Sequence, residues 1–267
     1  MIATTPLDVF YPAFREPCVS VFCSTSDEYT PYCCVMLQSL IDHATPEKNY
    51  DIIVLHSGLS KSRQQDISSI TRGARYLSIR FYDVTAFMQG KMFFRGSENF
   101  SLATWYRLFA PTIFSEYDKI VYLDVDTVVL TDIAELYHQN IGEYWIAACT
   151  DLAMLGDSLR GKNTHDYILN TIGLIDAKYY VNGGVMLMNL GKMREQGVEQ
   201  ACVEAALHHE YRCYDQDAFN HVCRGHIYYL DLVWNIFPAR GFEEDLNESQ
   251  LIEYKEKRMR RVLSTIR

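Results

Sequence analysis

Two carboxylates spaced two residues apart, Asp124 and Asp126, close the apolar run Lys119-Ile120-Val121-Tyr122-Leu123. A short run rich in β-branched and aromatic residues suits a buried parallel strand. Acids at the end of such a strand cost free energy to bury unless they are paired or bound to a metal. In extended backbone, residues i and i+2 point to the same side. Asp124 and Asp126 are therefore expected to converge on one hard divalent cation, with Val125 turned into the core. The competing reading is a solvated turn after the strand. A second triplet, Asp215-Gln216-Asp217, stands at an expected helix start, where acids are ordinary caps.

Three further groups have the types that recognition of a polar ligand needs. Asp27 and Tyr29 follow the first apolar run and offer a carboxylate and a ring to a nucleobase, or simply an Asx-type cap. Arg107, in Thr104-Trp105-Tyr106-Arg107-Leu108, suits a phosphate or a sugar hydroxyl, or packs its stem on the surface. Asn182-Gly183-Gly184 combines two-way hydrogen bonding with close backbone approach, or marks a β-bulge. No G-x-G-x-x-G or G-x-x-x-x-G-K-[ST] pattern occurs, so neither a dinucleotide-binding turn nor a P-loop is supported. None of the eight His has spacing that assigns it as a third metal ligand, and no Ser/His/Asp or Cys/His set stands out.

The elements that must position these groups alternate. Val19–Cys23 reads as a strand. Thr30 reads as an N-cap with Pro31 at N1, opening a helix to about His43 whose core face is Val35, Leu37, Leu40 and Ile41. Tyr50–His56 reads as a strand, Ser60 as the cap of a helix to Arg72, and Leu77–Tyr82 as a third strand. Residues 84–98 read as a mobile loop. Ser101–Phe114 reads as a helix that Pro111 bends or ends, leading into the strand before Asp124. This alternation predicts an α/β fold with a mainly parallel central sheet flanked by helices. Ligands then sit beyond the strand carboxyl ends at a topological switch point, so the Asp27 loop faces Asp124 and Asp126 if the first and fourth strands are neighbours. Later strands are expected at Trp145–Cys149, Ile227–Leu230 and Arg261–Ile266, and a strand pair or kinked strand at Tyr179–Asn189. Helices are expected at Asp132–His138, Val198–His209, Asp215–Val222 and Glu248–Arg258.

The composition narrows the class. The 267 residues, 48% hydrophobic and 22% charged, suffice for one large α/β domain. A net charge of -9 argues against a global nucleic-acid footprint. An acidic protein that binds an anionic substrate needs a metal or a few placed cations. Eight Cys without a C-x-x-C pair suit reduced thiols in the cytoplasm. No signal peptide and no apolar run of about 20 residues is visible.

The ordered set resembles the family 8 glycosyltransferases, in particular the bacterial lipopolysaccharide galactosyl- and glucosyltransferases. The matching pieces are Val21-Phe22-Cys23-Ser24-Thr25-Ser26-Asp27-Glu28-Tyr29, Thr104–Leu108, Val121–Thr127, Tyr180–Val185 and Tyr214–Asp217, in order across residues 19–240. The resemblance implies a GT-A fold: one catalytic domain over 1–267, with a nucleotide-binding half at about 19–130 and an acceptor-side half at about 131–267. It implies a UDP-glucose or UDP-galactose donor, Mn2+ with Mg2+ as the alternative, and transfer with retention to a glycan or lipid-linked acceptor in lipopolysaccharide-type biosynthesis. On that basis Asp124 and Asp126 ligate the metal, and Asp124 also reaches the ribose. Asp27 and Tyr29 hold the uracil, Arg107, Asn182 and Asp215 grip the donor sugar, and Gln216 lies near its reacting face. The family's uracil loop usually opens on two acids; Ser26 stands in that neighbourhood here, which leaves Asp27 to make the contact alone. The family's metal-completing His and diphosphate-binding Lys are expected beyond Arg267, in a segment that is also the expected point of contact with the inner face of the cytoplasmic membrane. Weak or absent activity is accordingly expected of residues 1–267 alone. The alternative is a non-catalytic GT-A-like domain that binds a nucleotide sugar or a partner.

Overall fold

The computed structural model describes residues 9–89, 91, 102–236 and 262–264. The main sheet has seven strands: β1 (Cys18–Ser24), β2 (Asn49–His56), β3 (Leu77–Asp83), β4 (Lys119–Leu123), β6 (Ile146–Thr150), β7 (Val181–Asn189) and β8 (Ile227–Tyr229). Their spatial order is β3-β2-β1-β4-β7-β6-β8, and a separate two-stranded ribbon pairs β5 (Thr127–Val129) with β9 (Val262–Ser264). The β3-β2-β1-β4 block is parallel throughout, and β6 runs parallel to β8. Strand β7 is antiparallel to both β4 and β6, so the sheet is mixed, with parallel pairings in the majority.

The strand order decides where chemistry can occur. The chain winds outward from β1 through β2 to β3, then returns to place β4 on the other side of β1. Val21 pairs with Val121 and Phe22 with Tyr122, and the strands end close together at Ser24 and Leu123. The expected neighbour relation of the first and fourth strands therefore holds, and the crevice at their carboxyl ends is the switch point. Because β7 is antiparallel, its start comes to the same end as the finish of β4 and of β6. Asn182-Gly183-Gly184 is thereby set beside Asp124, and Asp151 beside Asn182. Alternation along the strands divides the core: Phe22, Tyr122 and Met186 pack on one face with Phe109 and Phe219, while Val21, Leu123 and Leu187 pack on the other with Leu37 and Leu40.

Several local expectations are corrected. The helix Thr30–Asp42 has Tyr29 as its N-cap, with no side-chain cap bond, and the Thr30 hydroxyl lies inside the first turn donating to Ser26 O. Its buried face is Cys33, Met36, Leu37 and Leu40, whereas Val35 is half exposed. Ser60 caps the Lys61–Ser68 helix as expected, accepting from Arg63 N. Part of the expected loop after β3 is a short helix, Thr85–Gln89, and 92–98 lie outside the described residues. Leu102–Phe109 is a 3-10 helix, and Pro111 helps to open the short helix after it rather than ending one. Tyr179–Asn189 holds one strand, and the irregularity lies in its pairing: Thr150 meets Val181 while Ala148 meets Met186. The segment 151–172, for which no element was expected, folds as helices Leu152–Arg160 and Lys162–Tyr167 with a π turn at Ile168–Ile172. The expected helix at Glu248–Arg258 lies outside the described residues.

Asn220 locks the helix Tyr214–Val222 to β7. Its Oδ1 accepts from Val181 N at 2.7 Å, and its Nδ2 donates to Val181 O at 2.8 Å and to Gln216 O at 2.9 Å. The amide acts as a one-residue strand partner at the point where the β6/β7 ladder is interrupted. Asn220→Ala would leave buried backbone groups of Val181 without partners, and each costs about 1–3 kcal/mol. A stability loss of roughly 2–4 kcal/mol is expected in urea melts, with the slope of the transition unchanged.

Candidate active site

Arg107 stands at the centre of the crevice. It is 4% exposed, contrary to the surface alternative raised by its sequence context. Its Nε donates to Asp215 Oδ2, and its Nη1 donates to Gly183 O at 2.7 Å and to Asp124 Oδ1 at 3.3 Å. Its guanidinium lies 4.9 Å from the centre of the Tyr122 ring. Burial works against the charge, but Asp215, Tyr122 and Asp124 overcome it and hold the guanidinium well above its ordinary range. Two glycines make the arrangement fit: a Cβ on Gly183 would stand 3.2 Å from the guanidinium, and one on Gly184 would stand 3.0 Å from Asp124 Oδ2.

Asp215 is fully buried and uses one oxygen on Arg107; Oδ1 is buried without a hydrogen-bond partner. Burial raises its pKa, and Arg107 opposes the rise. The residue before it, Tyr214, holds a left-handed backbone with φ 47°, while its ring packs edge-on against Trp105 at 5.9 Å. A non-glycine residue held there stores about 1–3 kcal/mol, a cost characteristic of functional positions. Asp217 belongs to the scaffold: it accepts from Tyr167 and Tyr180 hydroxyls and from Cys213 N.

Asp124 and Asp126 are not related by extended backbone. A turn follows β4, closed by Thr127 N to Asp124 O at 3.3 Å, with the Thr127 hydroxyl on the same carbonyl at 2.8 Å. The turn lets the chain reverse into β5, and Val125 is buried as expected. Asp124 Oδ1 takes the Tyr122 hydroxyl at 2.6 Å as well as Arg107. Among the described residues no group of three or more His, Cys, Asp or Glu gathers as a ligand set. The pair still fits a hard divalent cation in kind: two carboxylates at the strand end, both partly exposed, with glycine at 184 leaving Asp124 Oδ2 room.

Asn182 and Gln216 are joined by a residue the sequence reading missed, Asp151. Its Oδ1 caps the helix Leu152–Arg160 through Ala153 N and Met154 N, both at 3.0 Å. Its Oδ2 accepts from Asn182 Nδ2 and Gln216 Nε2, also at 3.0 Å. A carboxylate can only accept, so both amides must present their NH2 groups to it. Their oxygens are thereby aimed away: Gln216 Oε1 accepts from Gly183 N at 2.9 Å, and Asn182 Oδ1 accepts from Gly184 N at 2.9 Å and Asn235 Nδ2 at 2.8 Å. An Asp directly after a strand and before Leu152-Ala153-Met154 is an N-cap signal that could have drawn notice.

Asp27 and Tyr29 lie at the other side of the crevice and are exposed. Asp27 Oδ1 accepts from Ser60 N at 2.9 Å, tying the loop after β1 to the loop after β2. Tyr29 is 43% exposed, its ring 5.8 Å from that of Tyr32.

The comparisons with known proteins address the same stretch of chain. The profile of glycosyl transferase family 8 matches residues 20–260. The chain belongs to glycosyl transferase family 8. It is 26% identical over 224 residues to a Haemophilus influenzae protein assigned provisionally as a glycosyltransferase, covering 83% of this chain and 64% of that protein. It is 22% identical over 227 residues to general stress protein A of Bacillus subtilis, covering 83% of this chain and 74% of that protein. Among solved structures, the bifunctional glycosyltransferase WbbM superposes with TM-score 0.88 at 27% identity, over 97% of this chain and 47% of that one. The galactosyltransferase LgtC in complex with donor and acceptor sugar analogues superposes with TM-score 0.73 at 22% identity, over 93% of this chain and 87% of that one. The expected α/β GT-A fold is thus borne out. The chain spans under two thirds of the length of the Haemophilus relative and about half that of WbbM.

Asp151→Asn should separate positioning from folding. The cap oxygen is kept, but an NH2 now meets the NH2 groups of Asn182 and Gln216. The shared orientation of the two amides is expected to be lost, read by NMR as shifted side-chain NH2 signals of Asn182 and Gln216 in a protein that remains folded. Burial raises the Asp151 pKa, against the lowering by its four hydrogen bonds. The folded state thus holds that proton more tightly than the unfolded chain does. The carboxyl's contribution to stability is greatest in acid and declines as pH rises from the ordinary carboxylate range to the raised value. Asp151→Asn is expected to flatten that part of the stability-against-pH curve measured by chemical denaturation.

Proposed function

We propose that this protein is a UDP-hexose-dependent glycosyltransferase that moves glucose or galactose to a glycan or lipid-linked acceptor with retention at the anomeric carbon, in a lipopolysaccharide-type pathway. The observation that carries this reading is the buried Arg107–Asp215–Asp124 assembly at the switch point, in a chain of family 8. In this reading Asp27 and Tyr29 receive the uracil at the exposed side of the crevice, where a flat ring can stack on Tyr29. Asp124 and Asp126 would hold Mn2+, or Mg2+ in its place. When bound, the cation offsets charge on the departing UDP.

The sugar sits over Arg107, Asn182 and Asp215. Asp215 Oδ1, buried without a partner, is satisfied by a hydroxyl of the hexose, and its carboxylate stabilises positive charge developing at the anomeric carbon. Gln216 faces the same region, but its amide is fastened by Gly183 N, Asp151 and Tyr180 OH. An amide so held is a poor nucleophile, so the bond-making step falls to the acceptor. The acceptor hydroxyl attacks on the face from which UDP leaves; the sugar–phosphate C–O bond breaks, and the hydroxyl proton passes to the departing phosphate. Among the described residues no helix is long and apolar enough to cross a membrane. We place the protein in the cytoplasm, with peripheral contact at the inner face of the membrane where a lipid-linked acceptor would be met.

UDP with Mn2+ should raise the melting midpoint of the full chain by several degrees, as expected for a ligand at about a hundredfold its Kd. Asp126→Asn should abolish the shift. A panel of UDP-sugars scored for UDP release then identifies the hexose. A thermal shift unaffected by Asp126→Asn would rule out the assigned cation site, and absence of turnover with every UDP-hexose would rule out the transferase reading.

A further inference from the structure

Strand β8 ends the main sheet. Ile227 is buried, whereas Tyr228 and Tyr229, on opposite faces of this edge strand, are 37% and 40% exposed. Tyr229 turns towards Tyr179, with ring centres 5.6 Å apart at 60°, and its hydroxyl donates to Tyr179 O at 3.3 Å. The backbone that carries Tyr179 is fixed to the end of β6: Thr150 Oγ1 donates to Lys178 O at 2.9 Å, and Asp151 N donates to Tyr180 O at 2.8 Å. Tyr229 is in register with Ala148, three residues before Asp151. Tyr179 stands three residues before Asn182. Tyr229 is the last residue of β8 and Tyr179 lies just before β7 begins, so the ring pair stands at the same end of the sheet as the Asp151–Asn182–Gln216 cluster.

We propose that Tyr179 and Tyr229 form a stacking platform for the acceptor glycan, taking a sugar unit beyond the one that receives the transferred hexose. This rests on the glycosyltransferase reading given above. A pyranose presents apolar C–H faces bordered by hydroxyls. A tyrosine matches it with a flat apolar ring and a polar tip, at little cost in side-chain entropy. The two rings touch each other edge to face, so a sugar would seat across their outward, partly exposed side. The local charge does not suit an anionic membrane: Lys178 lies 5.0 Å from the Tyr179 ring centre, but its ammonium is paired with Asp176 at 3.5 Å. The platform is rigidly tied to Asp151, so a chain seated on it enters the crevice from the side opposite Asp27 and Tyr29.

The test uses the full chain and ligand-observed NMR with lactose, cellotetraose, maltotetraose and a β-linked galactotetraose. At least one tetrasaccharide is expected to bind more tightly than lactose and to receive saturation from tyrosine ring protons. Tyr179→Leu and Tyr229→Leu should each weaken that tetrasaccharide about tenfold, while the thermal shift with UDP and Mn2+ is unchanged. Tyr229→Phe should retain binding, and Tyr228→Leu, on the opposite face of β8, should have no effect. Tetrasaccharide affinity equal in wild type and both Leu variants overturns the proposal. So does the absence of tyrosine-to-sugar saturation in wild type, a result that does not depend on how the variants fold. Binding to phosphatidylglycerol vesicles through these tyrosines, without oligosaccharide binding, also overturns it. Tetrasaccharide binding that needs both rings, in a protein with no UDP response, supports the platform while removing the donor-site reading.

Discussion

A positive charge buried beneath the sheet's switch point is the constraint on which the rest of the site depends. Taking a guanidinium out of water costs several kcal/mol unless its hydrogen bonds are met. Arg107 meets that cost by drawing Asp215, Asp124 and the Gly183 carbonyl onto one group. Those partners come from the start of the Tyr214–Val222 helix, the end of β4 and the start of β7. The ion pairs therefore fix three elements to one another, and the left-handed backbone of Tyr214 is tolerated because its neighbour is held in place.

A second constraint acts through what a carboxylate cannot do. Asp151 has no proton to donate when ionised, so it dictates the orientation of Asn182 and Gln216 together. The amide oxygens then anchor the backbone N–H groups of Gly183 and Gly184, the same residues whose missing side chains make room for Arg107 and Asp124. The two networks thus share one short stretch of β7. A change in either is felt by both, and energies of substitutions here are not expected to add.

The two sides of the crevice differ in physical character. The side assigned to the sugar is buried and pre-wired, with Asp215 Oδ1 and Asn235 Oδ1 both buried without a hydrogen-bond partner. The side assigned to the base is exposed: Asp27 contributes to loop geometry through Ser60, and Tyr29 offers an open ring. Hydrogen-bond discrimination needs fixed, desolvated groups, whereas stacking needs mainly an accessible flat surface. That division agrees with a ligand whose base anchors and whose sugar reacts.

Local pattern alone was enough for β1 to β4, because apolar runs, caps and Gly or Pro breaks report backbone preference directly. It was enough for the α/β class, and of the candidate residues Asp124, Arg107, Asn182, Asp215 and Gln216 come together in the fold. It could not supply the turn at Asp124–Thr127, the burial of Arg107 or the role of Asp151, Asn220 and Asn235. The burial of Arg107 and these three roles depend on β7 running antiparallel between β4 and β6, a pairing between residues about 30 to 70 apart in sequence that leaves no periodic trace. The residue types were written locally, and the contacts that give them chemistry were decided by which strand ends meet at the switch point.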